Sequence, residues 1–224
     1  MGSSFKSEQD LVATYTGTLV QLNDKTKSWT QEFDCASSIA DVVLFNLRKD
    51  WQAQSGLGRI APRWAFTLFS LPYRKQFSLE FFIERTGATK RTALIILKEY
   101  ESAGYCRKVT GRSDLWVKFK QPTRPTKKIV AIEAKLKNWQ RALKQAYRYL
   151  EYANQSWVLL DEKYSSSALR NLNEFKRLNV GLKTMSTSGK IDIIWSPQMR
   201  DPKSDITSWQ ASANLTKLAL DKAI

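Results

Sequence analysis

The chain of 224 residues contains no histidine and has two cysteines, Cys35 and Cys106. The lack of histidine excludes a Ser-His-Asp triad, an imidazole general base and most zinc hydrolase sites. Each cysteine is far in the chain from any second thiol, so neither a disulfide framework nor a thiolate zinc site is indicated, and we expect both side chains to be buried. Any hydrolytic chemistry must therefore use carboxylates, lysine and a hard cation.

Long hydrophobic runs are missing as well. No stretch approaches the roughly 20 uncharged apolar residues that a membrane span requires. The first 20 residues lack the short apolar block of a secretory signal. Apolar residues make up 42% of the chain and aromatic residues 12%, which is enough for a packed core. We expect a cytoplasmic protein without membrane contact, built as one elaborated domain or two small ones.

Negative charge is scarce, because 36 Lys and Arg residues stand against 21 Asp and Glu residues and give a net charge of +15. The sequence pI is about 9.8. This excess favours a polyanionic partner, above all nucleic acid, and the alternative is a basic protein that is merely soluble. The basic residues are dense in residues 121–150, where Glu133 is the one acid. An acid in such surroundings points to a specific role.

The middle of the chain carries signals for two helices and a strand pair. In FSLEFFIERTG, Ser78 is placed to cap a helix and Gly87 to end it. Thr89 then caps a second helix in ATKRTALIILKEYESAGY, and YCRKVTGRSDLWVKF alternates as two strands around Gly111. This order of elements resembles a winged helix-turn-helix module.

The resemblance to a winged helix implies a set of DNA-contacting residues. The start of the second helix would enter a DNA groove and the strand pair would meet phosphates. The residues at these places are Lys90, Arg91 and Thr92 on the helix and Arg107, Lys108 and Arg112 on the wing. A winged helix that contacts another protein through the same surface is the alternative interpretation.

A second motif lies in the strand-like segment VAIEAK. Alternate side chains of a strand share a face, so Glu133 and Lys135 project the same way, roughly 6 to 7 Å apart. A carboxylate is a hard ligand for Mg²⁺, and a neighbouring lysine can orient a metal-bound water for attack on a phosphodiester. Taken alone, the tripeptide is more typical of a surface ion pair.

A further acid, Asp41, heads the apolar strand-like run IADVVLF. Together with the E-x-K tripeptide it resembles the PD-(D/E)xK phosphodiesterase superfamily, although Ala40 stands where the motif has proline. The resemblance implies an α/β restriction-endonuclease-like fold with a mixed central sheet flanked by helices. It also implies that Asp41, Glu133 and the carbonyl of Ala134 hold Mg²⁺ or Mn²⁺, while Lys135 positions the attacking water.

The helix after this strand adds a second feature of the superfamily. Gln145 and Tyr149 form Q-x-x-x-Y, which resembles the RecB-like branch, where these two residues line the catalytic site. The same pattern is also typical of an ordinary amphipathic helix with a charged solvent face. Glu8 and Glu32 are two further candidates for an acid that many members of the superfamily carry near the site.

Asp114 competes with Asp41 for the role of first acid. Asp114 is much closer to Glu133 in the chain, as in compact members of the superfamily. It directly follows the proposed wing turn, however, where aspartate is a common turn residue, and its choice leaves the elements of residues 8–48 without a role. We therefore prefer Asp41.

These patterns predict a nuclease-fold domain in residues 1–55 and 123–224, with a winged helix-turn-helix inserted at residues 56–122. The predicted function is a metal-dependent DNA endonuclease or nickase, with DNA as partner and a homodimer or an accessory protein as a further possibility. The alternative is a DNA-binding regulatory or scaffold protein whose nuclease fold does not cut. An RNA-processing role rests on charge alone.

Overall fold

The computed structural model describes residues 3–21, 28–35, 38–112 and 114–222. The α-helices in these ranges are α1 (Glu8–Gln21), α2 (Ala65–Ser70), α3 (Leu79–Thr86), α4 (Lys90–Ser102), α5 (Trp139–Tyr149), α6 (Ser166–Arg170), α7 (Leu172–Leu178) and α8 (Asp205–Asp221). The strands are β1 (Ser28–Cys35), β2 (Ser38–Leu47), β3 (Gln76–Ser78), β4 (Cys106–Lys108), β5 (Leu115–Lys118), β6 (Thr126–Lys135), β7 (Gln155–Asp161), β8 (Gly181–Met185) and β9 (Ile191–Trp195). None of the described helices is both long enough and apolar enough to cross a membrane.

The chain forms two compact units. Unit 1 comprises Met1–Leu47 and Lys127–Ser204, and unit 2 comprises Arg48–Thr126 and Asp205–Ile224. Unit 2 therefore includes the end of the chain as well as the middle segment. This differs from the predicted ranges, which assigned all of residues 123–224 to the first domain.

Unit 1 is built on a six-stranded mixed sheet in the order β1-β2-β6-β7-β8-β9. Strands β1 and β2 form an antiparallel hairpin, β6, β7 and β8 run parallel, and β9 is antiparallel to β8. Helices flank this sheet, so the predicted α/β class with a mixed central sheet is confirmed. The sheet order also makes β2 and β6 neighbours, although most of unit 2 separates them in the sequence.

Alternation along the strands decides which side chains face each layer of unit 1. Ile132 and Ala134 of β6 and Val42 of β2 pack in the core that includes Tyr15 of α1. Glu133, between Ile132 and Ala134, and Asp41, next to Val42, therefore project to the opposite face of the sheet, which is the face that α5 covers. Apolar periodicity thus places the acid of each strand on the α5 side.

Unit 2 contains a three-stranded antiparallel sheet in the order β3-β5-β4, together with the pair of helices α3 and α4. The Ser78 hydroxyl accepts a hydrogen bond from the backbone N–H of Phe81 at 3.0 Å and caps α3. Gly87 ends that helix with φ of 65°, a left-handed conformation that glycine adopts without strain. Thr89 caps α4 by accepting from Thr92 N at 3.3 Å. These predicted helix boundaries are confirmed.

Helix α8 belongs to unit 2 because its buried side packs there. Trp209 stacks on Phe69 with ring centroids 4.7 Å apart, and the Ser212 hydroxyl accepts a hydrogen bond from the Thr126 hydroxyl at 2.9 Å. A Cβ at Gly58 would lie 3.0 Å from the backbone nitrogen of Lys217, so the absence of a side chain at position 58 permits this close approach. The sequence predicted helix α8, but it did not predict that α8 packs in unit 2.

Candidate functional site

Glu133 lies on β6 and is almost completely buried, with 1% of its side chain exposed. One carboxylate oxygen, Oε1, is 3.1 Å from the Lys135 ammonium nitrogen. The other, Oε2, contacts the hydroxyl of Tyr149. Burial and the nearby charge of Asp41 raise the pKa of Glu133, because both disfavour the ionised form. The ionised carboxylate is therefore costly here unless more positive charge approaches it.

Asp41 lies on β2 and is half-buried. Its Oδ2 accepts a hydrogen bond of 2.7 Å from the backbone N–H of Ala134, which places the carboxylate against β6 between Glu133 and Lys135. Burial raises the pKa of Asp41, and the hydrogen bond from Ala134 and the charge of Lys135 partly offset this effect. Two carboxyl groups with raised pKa values thus come from neighbouring strands.

The Lys135 ammonium group makes three contacts. It lies 3.0 Å from Oε2 of Glu8 and 3.1 Å from Oε1 of Glu133, and it donates to the backbone carbonyl of Ala134 at 3.1 Å. Only 14% of the side chain is exposed. Burial acts to lower the pKa of Lys135, but the hydrogen bond to Glu8 and the two nearby carboxylates outweigh burial and raise it. The amine is therefore a charged donor held by acids.

Tyr149 on α5 anchors Glu133 from the other side. Its hydroxyl donates to the backbone carbonyl of Ile39 at 2.6 Å and also contacts Oε2 of Glu133. One hydroxyl carries one proton, so it donates to one of these two acceptors at a time. Burial and the charge of Glu133 raise the pKa of Tyr149, which keeps the hydroxyl protonated.

The donor set at this place fits a divalent cation. Carboxylate and carbonyl oxygens are the ligands that Mg²⁺ and Mn²⁺ prefer. Three such groups are available here: the Asp41 carboxylate from β2, and the Glu133 carboxylate and the Ala134 carbonyl from β6. A cation would also relieve the mutual repulsion that raises the pKa of Glu133. Within the described ranges, no group of three or more His, Cys, Asp or Glu side chains is arranged to hold a metal.

The other acids considered from the sequence fall in different places. Glu8 reaches the site through its ion pair with Lys135. Glu32 is exposed on β1, between Gln31, which pairs with Val42, and Phe33, which pairs with Ala40. Glu32 is therefore level with Asp41, and its charge contributes to the raised pKa of Asp41.

Asp114 lies in unit 2, directly before β5, where its carbonyl accepts a hydrogen bond from Leu79 N at 2.9 Å. The strand next to β6 in the sheet is β2. The strand order therefore favours Asp41 over Asp114 as the partner of Glu133.

A cavity of about 460 Å³ lies beside Tyr149. Its lining residues are Asp34, Ser38, Ile39, Gln145, Arg148 and Tyr149. Gln145 is half-buried, and its carbonyl oxygen, Oε1, is buried without a hydrogen-bond partner among the described residues. Gln145 and Tyr149 of the Q-x-x-x-Y pattern thus line one cavity, and Tyr149 also contacts Glu133.

The predicted DNA-contacting residues all lie in unit 2 on exposed or half-buried positions. The first turn of α4 contains Lys90, Arg91 and Thr92, of which the two basic residues are exposed. Arg107 and Lys108 are exposed on β4, and Arg112 is exposed in the turn that follows Gly111, where φ is 75°. The guanidinium carbon of Arg107 also lies 5.8 Å from the ring centroid of Phe119.

Several contacts of the site were missed from the sequence. No sequence motif marks the Ile39 carbonyl or the side chains of Ser38 and Arg148. A backbone acceptor and an arginine on a helix surface are common in any sequence. Asp161 was also missed, although it is buried at the end of β7 and accepts hydrogen bonds from Ser4 Oγ at 2.9 Å and Phe5 N at 3.0 Å.

Comparisons of the chain with protein-family models, with curated proteins and with solved structures found no match. The case for a function rests on the geometry of the described residues.

Proposed function

We propose that the protein is a divalent-cation-dependent DNA endonuclease or nickase, with a restriction-endonuclease-like fold in unit 1 and a winged helix-turn-helix in unit 2. One observation carries the proposal. The Lys135 ammonium group is 3.1 Å from the buried Glu133 carboxylate, and the Asp41 carboxylate of the neighbouring strand accepts a hydrogen bond from the residue between them. Asp41 is far in the chain from Glu133 and Lys135, and the pairing of β2 with β6 brings it beside them.

The carboxylates of Asp41 and Glu133 and the carbonyl of Ala134 would hold Mg²⁺ or Mn²⁺. When bound, the cation supplies charge neutralisation at the scissile phosphate and acidifies a bound water. A surface ion pair does not explain this arrangement, because Glu133 is 1% exposed and burying a carboxylate is costly unless positive charge compensates it.

Lys135 is suited to orient the attacking water. Its ammonium group has three donors, which Glu133, Glu8 and the Ala134 carbonyl accept here. A water would replace Glu8, whose side chain is 47% exposed, as one of these three acceptors. Tyr149 in turn holds Glu133 through its hydroxyl, and the Ile39 carbonyl holds Tyr149. This chain of contacts limits the rotamers of the groups around the reacting atoms, which is the condition for efficient positioning.

Unit 2 has the charge expected of a DNA-docking module. It contains 18 Lys and Arg residues against 8 Asp and Glu residues, whereas unit 1 contains 18 against 13. Lys90 and Arg91 lie at the capped start of α4, where backbone N–H groups and the helix dipole also favour an anion. These features support DNA binding through α4, with the exposed arginine and lysine side chains of β4 contacting phosphates.

The test is a cleavage assay on supercoiled plasmid with purified protein, with and without Mg²⁺ or Mn²⁺. The wild type is expected to nick or linearise the plasmid with either cation and to leave it intact in EDTA. Glu133→Gln is expected to abolish cleavage, while Glu174→Gln, which removes an exposed acid paired with Arg177, is expected to cleave normally. Plasmid that stays uncut with both cations, but is shifted in a gel, would instead indicate a DNA-binding regulator or scaffold without nuclease activity.

A further inference from the structure

The carboxyl ends of β6 and β7 form one edge of the parallel part of the sheet. Lys135 of β6 is the register partner of Leu160 of β7, so the residues that follow each of them leave the sheet at the same edge. Two peptide units after Lys135, the Cα atom of Lys137 is at most about 7.6 Å from that of Lys135. The carboxyl edge of parallel strands is where α/β proteins commonly bind ligands. The segments that follow β6 and β7 therefore begin at the same edge of the sheet as the proposed catalytic lysine.

A tyrosine with two lysines over its ring stands at this edge. Tyr164 ends the short 3₁₀ helix Glu162–Tyr164 that follows β7. The ammonium nitrogen of Lys137 lies 4.4 Å from the ring centroid, and that of Lys163 lies 5.8 Å from it. Tyr164 is half-buried and both lysines are exposed, while Glu162 is the exposed acid of the same segment. The segment thus presents an aromatic ring with exposed lysine ammonium groups over it, which a stacking base would displace toward its own phosphates.

The backbone that carries Tyr164 is firmly anchored. Asp161, with 1% exposure, accepts hydrogen bonds from Lys163 N at 2.9 Å and from the chain near the N-terminus, through Ser4 Oγ and Phe5 N. The Ser165 hydroxyl donates to the carbonyl of Glu162 at 2.8 Å. The backbone that carries the ring is therefore ordered before any ligand arrives, which lowers the entropic cost of stacking a partner on the ring.

The chemistry of this cluster matches one nucleotide of an unpaired strand. A base offers a π-face to an aromatic ring, and its phosphates offer negative charge to lysines. A base inside an intact duplex has both faces covered by its neighbours, so a ring at the surface stacks only on a base that is unpaired, terminal or flipped out.

We propose that Tyr164, with Lys137 and Lys163, forms a stacking platform for an unpaired base next to the scissile phosphate. This inference rests on the proposed nuclease function and specifies its substrate class. The preferred DNA is then forked, gapped or flapped, with a single-stranded nucleotide at the cleavage point, rather than continuous duplex.

The test measures equilibrium binding without divalent cations, so that cleavage plays no part. Fluorescence anisotropy in EDTA compares a forked oligonucleotide with a fully paired duplex of the same duplex length. The wild type is expected to bind the fork more tightly, and Tyr164→Ala is expected to weaken fork binding about 10-fold, within the roughly 1 to 3 kcal/mol reported per stacked base. Duplex binding should stay within about two-fold. Tyr164→Phe keeps the ring and should retain fork affinity, which separates stacking from the hydroxyl.

Tyr147 provides a matched control within unit 1. It is an exposed tyrosine on α5, and the ammonium nitrogen of Lys203 lies 3.3 Å from its ring centroid. The backbone N–H of Lys203 donates to the carbonyl of Leu150, directly after α5. Tyr147→Ala should leave fork affinity unchanged. Equal losses in Tyr147→Ala and Tyr164→Ala, or no loss in Tyr164→Ala with its fold intact by circular dichroism, would overturn the proposal.

The outcome is separable from that of the nuclease proposal. If the protein cleaves plasmid with Mg²⁺ but Tyr164→Ala binds forks normally, the platform is refuted and the nuclease stands. If Tyr164 is needed for fork binding but no cation supports cleavage, the platform stands as a binding surface and the nuclease is refuted.

Discussion

Each of the two compact units contains a lysine that is largely shielded from solvent, Lys135 with 14% of its side chain exposed and Lys118 fully buried, but the two amines have opposite surroundings. In unit 1, Lys135 lies between the carboxylates of Glu133 and Glu8, and its pKa is raised although burial acts to lower it. In unit 2, the fully buried Lys118 donates to the backbone carbonyls of Leu68 and Phe69, at 3.2 Å and 2.9 Å. Burial lowers its pKa to about 8.

The difference separates a lysine suited to chemistry from a lysine suited to structure. Carbonyls satisfy the donors of Lys118 without any charged group, so this amine ties α2 to β5 and has no route to a reacting atom. The acids around Lys135 are more numerous than one lysine needs, because Asp41 also lies beside it. Three carboxylates beside one amine, of which Glu133 is buried, Asp41 half-buried and Glu8 47% exposed, are typical of a site that takes up a cation.

The largest expected effect concerns the first acid of the site. Asp41→Asn keeps an acceptor for the Ala134 N–H but removes the charge that would bind the cation. We expect plasmid cleavage to fall by about 10³-fold or more. The matched control is Asp114→Asn in unit 2, which should cleave within about two-fold of the wild type. Loss of cleavage in Asp114→Asn, with normal cleavage in Asp41→Asn, would show that Asp114 and not Asp41 is the first acid of the site.

The next effect tests the proposed role of unit 2. Lys90→Ala combined with Arg91→Ala should reduce duplex affinity about 10-fold or more at physiological salt and lower the slope of log K against log salt by about two units, one for each phosphate contact. Mn²⁺ binding, measured by calorimetry, should not change. Arg59→Ala combined with Lys75→Ala removes the same charge from exposed positions of unit 2. If this control lowers affinity equally, binding depends on overall charge and not on α4.

A smaller effect is expected at the residue that holds Glu133. Tyr149→Phe removes the hydroxyl between Glu133 and the Ile39 carbonyl, so the carboxylate gains rotational freedom. We expect a fall of about 10-fold in the cleavage rate constant with unchanged DNA affinity. Tyr152→Phe is the control, because Tyr152 is also fully buried but its hydroxyl has no hydrogen-bond partner among the described residues. Equal losses in both variants would indicate a general packing effect.

The smallest effect concerns the pH dependence of stability through Lys118. Its pKa of about 8 in the folded protein lies below its ordinary value of 10.5, so between these pH values the unfolded state binds more protons than the folded state. The free energy of unfolding therefore gains up to about 1.4 kcal/mol per pH unit from this group as pH rises through that window. Below about pH 8, Lys118 is charged in the folded protein, and the free energy of unfolding is lowered by the full cost of burying this charge.

Lys118→Met removes this gain. In urea titrations, the stability of the variant relative to the wild type should fall as pH is raised from 8 to 10. A difference that stays constant over this range would show that the pKa of Lys118 is not lowered in the folded protein.

The sequence predicted the local elements of the site well. Apolar alternation identified β2 and β6, and the caps Ser78, Gly87 and Thr89 marked the helices of unit 2, since both signals act over a few neighbouring residues. It also paired Asp41 with Glu133 through a motif, although the two are far apart in the chain.

The remaining features depend on packing that the sequence does not display. The assignment of α8 to unit 2 follows from Trp209 stacking on Phe69, and the contact of Lys135 with Glu8 follows from how α1 lies on the sheet. The Tyr164 cluster arises because β6 and β7 are parallel and in register, which brings together the ends of two separate segments. Such tertiary contacts have no local signature.

The difference between Lys135 and Lys118 is tested most directly by single-turnover cleavage of one DNA substrate at saturating protein, with Mg²⁺. Lys135→Met should lower the cleavage rate constant by about 100-fold or more, with DNA affinity within about two-fold of the wild type, because the amine acts in the transition state. Lys118→Met, measured below its unfolding temperature, should cleave at the wild-type rate. Cleavage by Lys135→Met at the wild-type rate would contradict the assignment of this lysine, and with it the proposed catalytic site.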